Sequence, residues 1–154
     1  MIEVTCRHTF PFSWHYAYRS LLLRMMRNDD HFQSTRLLGS LPNGTLRYKI
    51  DRFVPKLLAM LSGVQSIQYV EKITVDRRGK KMTLVSEKWK DTPILMDVTT
   101  DYTEGVDGKA VAVSMISLNI TVPSLLVGQA ESLVRQLFTK EMKEQERGIG
   151  VVEE

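Results

Sequence analysis

Apolar and polar residues alternate along several stretches of the chain, and each stretch ends at a turn-forming residue. Ile2, Val4 and Cys6 alternate with Glu3, Thr5 and Arg7. That period of two predicts a strand with one buried face over residues 1–10. Pro11 breaks it, and Ser13 is placed to cap a helix. From Trp14 to Arg27 the period changes to that of a helix, with Trp14, Ala17, Tyr18, Leu21, Leu22 and Met25 on one face. Asn28-Asp29-Asp30 predicts a turn, residues 33–41 a strand, and Pro42-Asn43-Gly44 a hairpin. Residues 45–53 alternate again, with Leu46, Tyr48 and Ile50 set against Arg47, Lys49 and Asp51.

The stretch RFVPKLLAMLSG, Arg52 to Gly63, sets two cations around a proline and then a short apolar run. Pro55 fits the first turn of a short helix, where its missing N–H costs nothing, and the helix is expected to end near Gly63. Residues 66–76 and 81–89 read as strands joined by the tight turn Arg77-Arg78-Gly79-Lys80. Residues 94–104 and 109–120 form a further hairpin, turning between Gly105 and Gly108. Pro123 and Ser124 open a long helix to about Arg147. Its apolar residues Leu126, Ala130, Leu133, Val134, Leu137 and Phe138 recur at i, i+3, i+4 spacing, and Gly148 is expected to stop it.

The predicted order is β-α-β-β-α-β-β-β-β-α. Strands joined mostly by hairpins favour one antiparallel sheet, and its apolar face needs a cover. The expected class is therefore α+β, a helix-grip: a curved antiparallel sheet of about seven strands wrapped on the long C-terminal helix. Sheet and helix in that arrangement often enclose a ligand pocket. No linker or repeat interrupts the chain, so residues 1–148 read as one domain and residues 149–154 as an acidic tail.

Composition changes this picture little. The 154 residues are 43% hydrophobic and 25% charged, ordinary for a globular domain. The net charge of +3 is compatible with an anionic ligand, a membrane surface or nucleic acid. Cys6 is the single cysteine, so it makes no internal disulfide and no thiolate cluster. His8, His15 and His31 lack the i, i+4 spacing of a helical metal pair. No metal and no cofactor is expected. No apolar run approaches the roughly 20 residues that span a bilayer, and the N-terminus has neither a secretory h-region nor an Arg/Ser-rich transit pattern. Gly-rich phosphate loops and Ser-His-Asp spacings are absent. Asp97 and Asp101 alternate with Val98 and Tyr102, which turns them to solvent, so no catalytic residue is expected.

Four stretches, in order, carry a resemblance to a known family. They are HTFPFSWHYAYRSLLLR (His8 to Arg24), LPNGTLRYKIDRFVPKLLAMLSG (Leu41 to Gly63), YVEKITVDRRGKKMTLVSEKW (Tyr69 to Trp89) and FTKEMKEQERG (Phe138 to Gly148). Together they resemble the PRELI/MSF1 family of intermembrane phospholipid-transfer proteins over nearly the whole chain. One motif departs: the family's Tyr-Pro-Asn-Pro after the first helix is replaced by MMRNDDHF, Met25 to Phe32.

The resemblance implies a glycerophospholipid, anionic as in phosphatidic acid or phosphatidylserine, bound in a cavity and carried between membranes. It carries head-group binding onto Arg24, Arg52, Lys56 and Lys143, since arginine forks and lysine point charges suit phosphate; the alternative for each is a solvated surface cation. His31 matches a family histidine, with a turn role as the alternative. Leu57, Leu58, Met60 and Leu61 would form a lid that can dip into a membrane, hinged or merely capped at Gly63; the alternative is a short helix packed on the sheet. Leu21, Met25, Leu126, Ala130, Leu133 and Leu137 would line the cavity, and the flexible Met25, Met26 and Met60 would suit variable tails or simply fill the core. Lys140 and Arg147, interleaved with Glu141, Glu144 and Glu146, read as a solvated helix face. The resemblance further implies the mitochondrial intermembrane space, with the cytoplasm as alternative, and a small helical partner stabilised by disulfides. Two other functions stay open. One is an enzyme of the same architecture, a cyclase or hydrolase, which would turn titratable groups into its cavity. The other is an RNA- or protein-binding module, which would expose an aromatic row such as Tyr48, Tyr69 and Trp89.

Overall fold

The computed structural model describes residues 2–26 and 33–153. In chain order the elements are β1 (Ile2–Thr9), α1 (Trp14–Met26), β2 (Gln33–Ser40), β3 (Leu46–Phe53), α2 (Lys56–Ser62), β4 (Ser66–Asp76), β5 (Lys81–Glu87), β6 (Met96–Glu104), β7 (Ala110–Leu118), a 3-10 turn (Ser124–Leu126) and α3 (Val127–Glu153). The seven strands form one antiparallel sheet in the order β1-β7-β6-β5-β4-β3-β2. Strands β2 to β7 follow one another in space as in sequence. Only β1 departs, pairing with β7, so β1 and β2 form opposite edges and α1 connects them. This is the expected helix-grip architecture, in the expected order of elements.

The period-two pattern fixes which side chains face the helices. β1 buries Ile2, Val4 and Cys6 and exposes Glu3, Thr5 and Arg7. The same alternation turns Tyr48 and Ile50 inward from β3, Ile67, Tyr69 and Ile73 from β4, and Val98 and Tyr102 from β6. α1 and α3 pack on that face and on each other. Trp14, Ala17, Leu21 and Met25 of α1 and Ala130, Val134, Phe138 and Met142 of α3 are all buried.

Three local features differ from expectation. Pro55 is the N-cap of α2 rather than its first residue, and its carbonyl accepts the first helical bond from Ala59 at 2.8 Å. The chain enters its last helix through a 3-10 turn, which takes Leu126 off the α3 stripe. Gly148 does not end α3, which runs on to Glu153. A helical glycine costs only about 1 kcal/mol against alanine, and Gly148 is buried, so packing outweighs its weak propensity. The turn expected at Asn28–Asp30 lies outside the described residues. Gly63 caps α2 in the left-handed region, φ 76°, with its N–H bonded to the Ala59 carbonyl.

Polar contacts fasten the C-terminal half of α3. Gln145, 2% exposed, donates to Ser20 Oγ of α1 at 2.9 Å and accepts from the Tyr102 hydroxyl of β6 at 3.3 Å. His8 Nε2 meets Glu146 Oε1 at 2.5 Å, tying β1 to the same helix. Gln145→Leu keeps the volume but leaves the Tyr102 hydroxyl only the weak acceptor Met142 Sδ, at 3.8 Å. A loss of about 1–3 kcal/mol is expected, read as a lower urea midpoint with an unchanged slope. An unmoved midpoint would show that α3 does not depend on this bridge.

Candidate functional site

Between the sheet and α3 the core is incomplete and leaves a cavity of about 90 Å³. Its long wall is apolar. Ile67, Leu84, Val98 and Ile116 come from four neighbouring strands, Leu137 and Phe138 from α3, and Leu58 from α2. Strand alternation and the helical repeat aim all of these at one space.

The rest of the wall is polar, and its parts come from six elements. Arg52 continues the inward register of Tyr48 and Ile50 on β3, and Glu71 falls between Tyr69 and Ile73 on the inward face of β4. Arg24 comes from the last turn of α1, Tyr102 from β6 and Glu141 from α3. Arg52 Nη1 donates to Glu141 Oε1 across the cavity, and the two side chains are only 16% and 15% exposed. Arg52 also bonds the Tyr69 hydroxyl. Burial opposes the charge on Arg52, but Glu141 and Tyr69 outweigh it and hold its pKa above the usual arginine value. Glu71 is 6% exposed. Burial pushes its pKa up, Arg24 and then Arg52 pull it down, and Glu141 adds to the rise. Burial lifts Tyr69 to about 12 and raises Tyr102 as well, so both phenols are neutral at physiological pH. Thr100 and Ser114 join across β6 and β7 by a 2.8 Å hydrogen bond. Arg24 Nε is sealed from solvent and has no hydrogen-bond partner.

The structure brings together only part of the expected site. Arg24 and Arg52 share the cavity wall. Lys56 is exposed at the start of α2, off that wall. Lys143 is exposed in a surface groove with Arg135, Lys140 and Arg147. Two residues turn an α-helix by about 200°, so Glu141 facing inward forces Lys143 outward. The lid segment divides: Leu58 is 1% exposed and lines the cavity, Leu61 is half-buried, and Leu57 and Met60 are 46% and 72% exposed. Of the six expected lining residues, Leu137 lines the cavity. Leu21, Met25 and Ala130 belong to the packed core, Leu133 packs partly buried against it, and Leu126 sits in the 3-10 turn. Glu141 corrects the expectation of a solvated face, because it is drawn to Arg52; Lys140 and Arg147 are exposed as expected. His31 and the Met26 side chain lie outside the described residues.

Glu71, Tyr102 and Glu141 were missed. Glu71 carried a readable signal, a carboxylate in the apolar register Ile67, Tyr69, Ile73. Glu141 sits three and four residues after Phe138 and Leu137, at the edge of the apolar stripe. The aromatic row that RNA stacking needs is not formed. Tyr48 and Tyr69 are buried, and Trp89 is half-buried with Lys90, Lys49 and Arg36 at 4.7, 5.2 and 5.9 Å from its ring centroid.

No family model and no curated protein matches the chain. Solved structures do. The chain is similar to human STARD10 (TM-score 0.63, 12% identity, 97% of this chain and 64% of that one). It is also similar to the 18 kDa protein CC1736 of Caulobacter crescentus (0.63, 9%, 99% of both chains). A third is the Zhui aromatase/cyclase of Streptomyces sp. R1128 (0.54, 7%, 96% and 90%). At these identities the likeness shows the fold alone, the helix-grip architecture.

The Arg52–Glu141 pair yields a direct test. Removing one partner leaves a buried charge uncompensated, so Arg52→Ala is expected to lose about 3–5 kcal/mol. Joint replacement, Arg52→Met with Glu141→Leu, is expected to recover most of that loss. Chemical denaturation of the four proteins of the cycle measures it, and strictly additive losses would show that the pair is not coupled.

Proposed function

We propose that this protein is a lipid carrier. It takes a glycerophospholipid with an anionic head, such as phosphatidic acid or phosphatidylserine, into the cavity and passes it between membranes unaltered. One observation carries this reading: a largely apolar cavity wall includes two arginines, Arg24 and Arg52, and the Arg24 Nε is buried with no acceptor. Apolar tails would lie along Ile67, Val98, Ile116 and Phe138. The phosphate would meet Arg24 and Arg52, where charge-assisted bonds in a dry setting are strongest.

Size bears on how the ligand enters. Ligand pockets run to roughly 300–1,000 Å³, well above the 90 Å³ found here, so loading must widen the cavity. α2 is suited to give way. It is two turns long, it plugs the cavity with Leu58, and its outer side chains Leu57 and Met60 are exposed. Burying each in a membrane is worth roughly 1.5–3 kcal/mol, and Lys56 beside them would meet anionic head groups. Among the described residues no helix is long and apolar enough to cross a membrane, so docking in this scheme is peripheral. The PRELI/MSF1 resemblance extends the proposal to the mitochondrial intermembrane space and to a small disulfide-stabilised helical partner.

An enzyme acting inside the cavity is the second reading, favoured by the inward titratable groups Glu71, Tyr69 and Tyr102. The carrier is preferred because both phenols stay protonated and Glu141 is committed to Arg52.

Vesicle-to-vesicle transfer of fluorescent phospholipids tests the proposal. Phosphatidic acid and phosphatidylserine are expected to move faster than phosphatidylcholine. Arg24→Gln should slow the anionic lipids about tenfold to a hundredfold, the worth of one hydrogen bond to a charged group. Leu57→Asp with Met60→Asp should slow every lipid while leaving the melting temperature within a degree or two, since both positions are exposed. Transfer of no lipid by the folded wild type would remove the carrier reading.

A further inference from the structure

The charges around the cavity place a condition on its ligand. α1 contributes Arg24, β3 Arg52, β4 Tyr69 and Glu71, β6 Tyr102, and α3 Glu141. Two guanidinium groups face two carboxyl groups and the phenols are neutral, so with both carboxyls ionised the cluster sums to zero. An anionic head group adds one negative charge to a balanced cluster shielded from water. An unbalanced buried charge is expensive, and a titratable group in that position neutralises instead.

We infer that the cavity takes up its anionic ligand together with one proton, and that Glu71 receives it. This rests on the anionic-lipid reading above and deepens it. Glu71 lies mid-strand, paired on one side to Tyr48 and on the other to Ser86, so its carboxyl cannot swing out to solvent. Arg24 and Arg52, which share the cavity wall with it, are the two charges that oppose the effect of burial on it. The incoming phosphate or carboxylate claims those same two arginines and brings a like charge closer. Both changes favour the protonated form. The balance is simple: one proton from solvent joins one Glu71 oxygen and no other bond changes. The resulting carboxylic acid is an O–H donor that can bond the ligand anion, so the group that would repel the ligand becomes one that holds it. Glu141 is the other carboxyl group in the cluster, but it is already engaged in a direct ion pair with Arg52.

The sign follows by linkage. Binding raises the Glu71 pKa. Affinity is therefore fully developed below the free-state value, which lies above the ordinary glutamate range, and falls as pH rises towards the bound-state value. The steepest fall is about tenfold per pH unit.

Two apolar dyes separate this coupling from simple binding. Anilinonaphthalene sulfonate keeps its negative charge throughout pH 5–8, and phenylnaphthylamine is neutral there. The wild-type protein is expected to bind both. The dissociation constant of the sulfonate should rise with pH, and that of the neutral dye should stay flat. Calorimetry in buffers of different ionisation heat should show uptake approaching one proton per sulfonate bound. Glu71→Gln should abolish both the slope and the proton uptake and bind the sulfonate more tightly than wild type at pH 8. A sulfonate bound with a flat pH profile and no proton uptake overturns the inference while leaving the carrier reading intact. A slope that survives in Glu71→Gln assigns the proton elsewhere and also overturns it. Binding of neither dye removes the carrier reading and the inference together. Should Glu71→Gln not fold, calorimetry on the wild type decides alone.

Discussion

Two arginines and two glutamates are brought together between a sheet and its two helices, and much of this structure follows from the need of each for a partner. Arg52 comes from β3 and Glu141 from α3, so their ion pair crosses the cavity and clamps helix to sheet. Arg24 and Glu71 complete the balance from α1 and β4. No adjacent pair in sequence could do this. The charges meet because the antiparallel order places β3 beside β4 and because α1 and α3 cover the same face. A carrier lined only by aliphatic side chains would close on itself by hydrophobic collapse. Here the polar groups keep space between the layers, because their desolvated charges demand partners at fixed distances.

That same constraint explains why the cavity is narrow. The ion pair draws α3 towards β3, and Leu58 of α2 fills the apolar end. In the proposed carrier a ligand anion would share Arg52 with Glu141, which would ease the contact that holds the layers together. Opening and head-group recognition would then be one event. The helix beyond this point stays fixed by the Gln145 bridge to Ser20 and Tyr102. On loading, as proposed, widening would therefore be directed to the α2 end, where Leu57 and Met60 are exposed.

The fold was largely legible because its signals are local. Alternation such as Ile2, Val4, Cys6 places residues on a face without knowledge of the partner strand, and Asn43-Gly44 and Gly79 mark the reversals between strands. Arg52 entered the expected site through the family resemblance, and its register, two positions beyond Ile50, is what turns it inward. Glu71 obeys that register too, but a carboxylate in an apolar row looks like a break in the pattern until its partners are known. Those partners, Arg24 and Arg52, lie 47 and 19 positions away in the chain. Helix faces were harder to resolve. The stripe Val134, Phe138, Met142, Gln145 leaves Glu141 on its shoulder, and only the position of Arg52 decides that it turns inward. Lys143 then had to point out. Which apolar residues line a void, as opposed to filling the core, depends on packing among all layers at once. Leu21 and Ala130 belong to the core for that reason.

A balanced cluster also suits transfer better than a purely cationic one would. Two unopposed arginines in a dry cavity would hold a phosphate tightly and release it slowly, since leaving would strand two buried charges. With Glu71 and Glu141 present, the arginines have partners to return to when the ligand departs, and the unloaded state is not penalised. In the proposed carrier this would lower affinity and quicken exchange, because the free energy lost with the ligand would be regained from the internal pairs. An enzyme gains from holding its charges ready for the transition state. A carrier would gain from making its loaded and unloaded states similar in free energy, and two arginines facing two glutamates is an arrangement that does so.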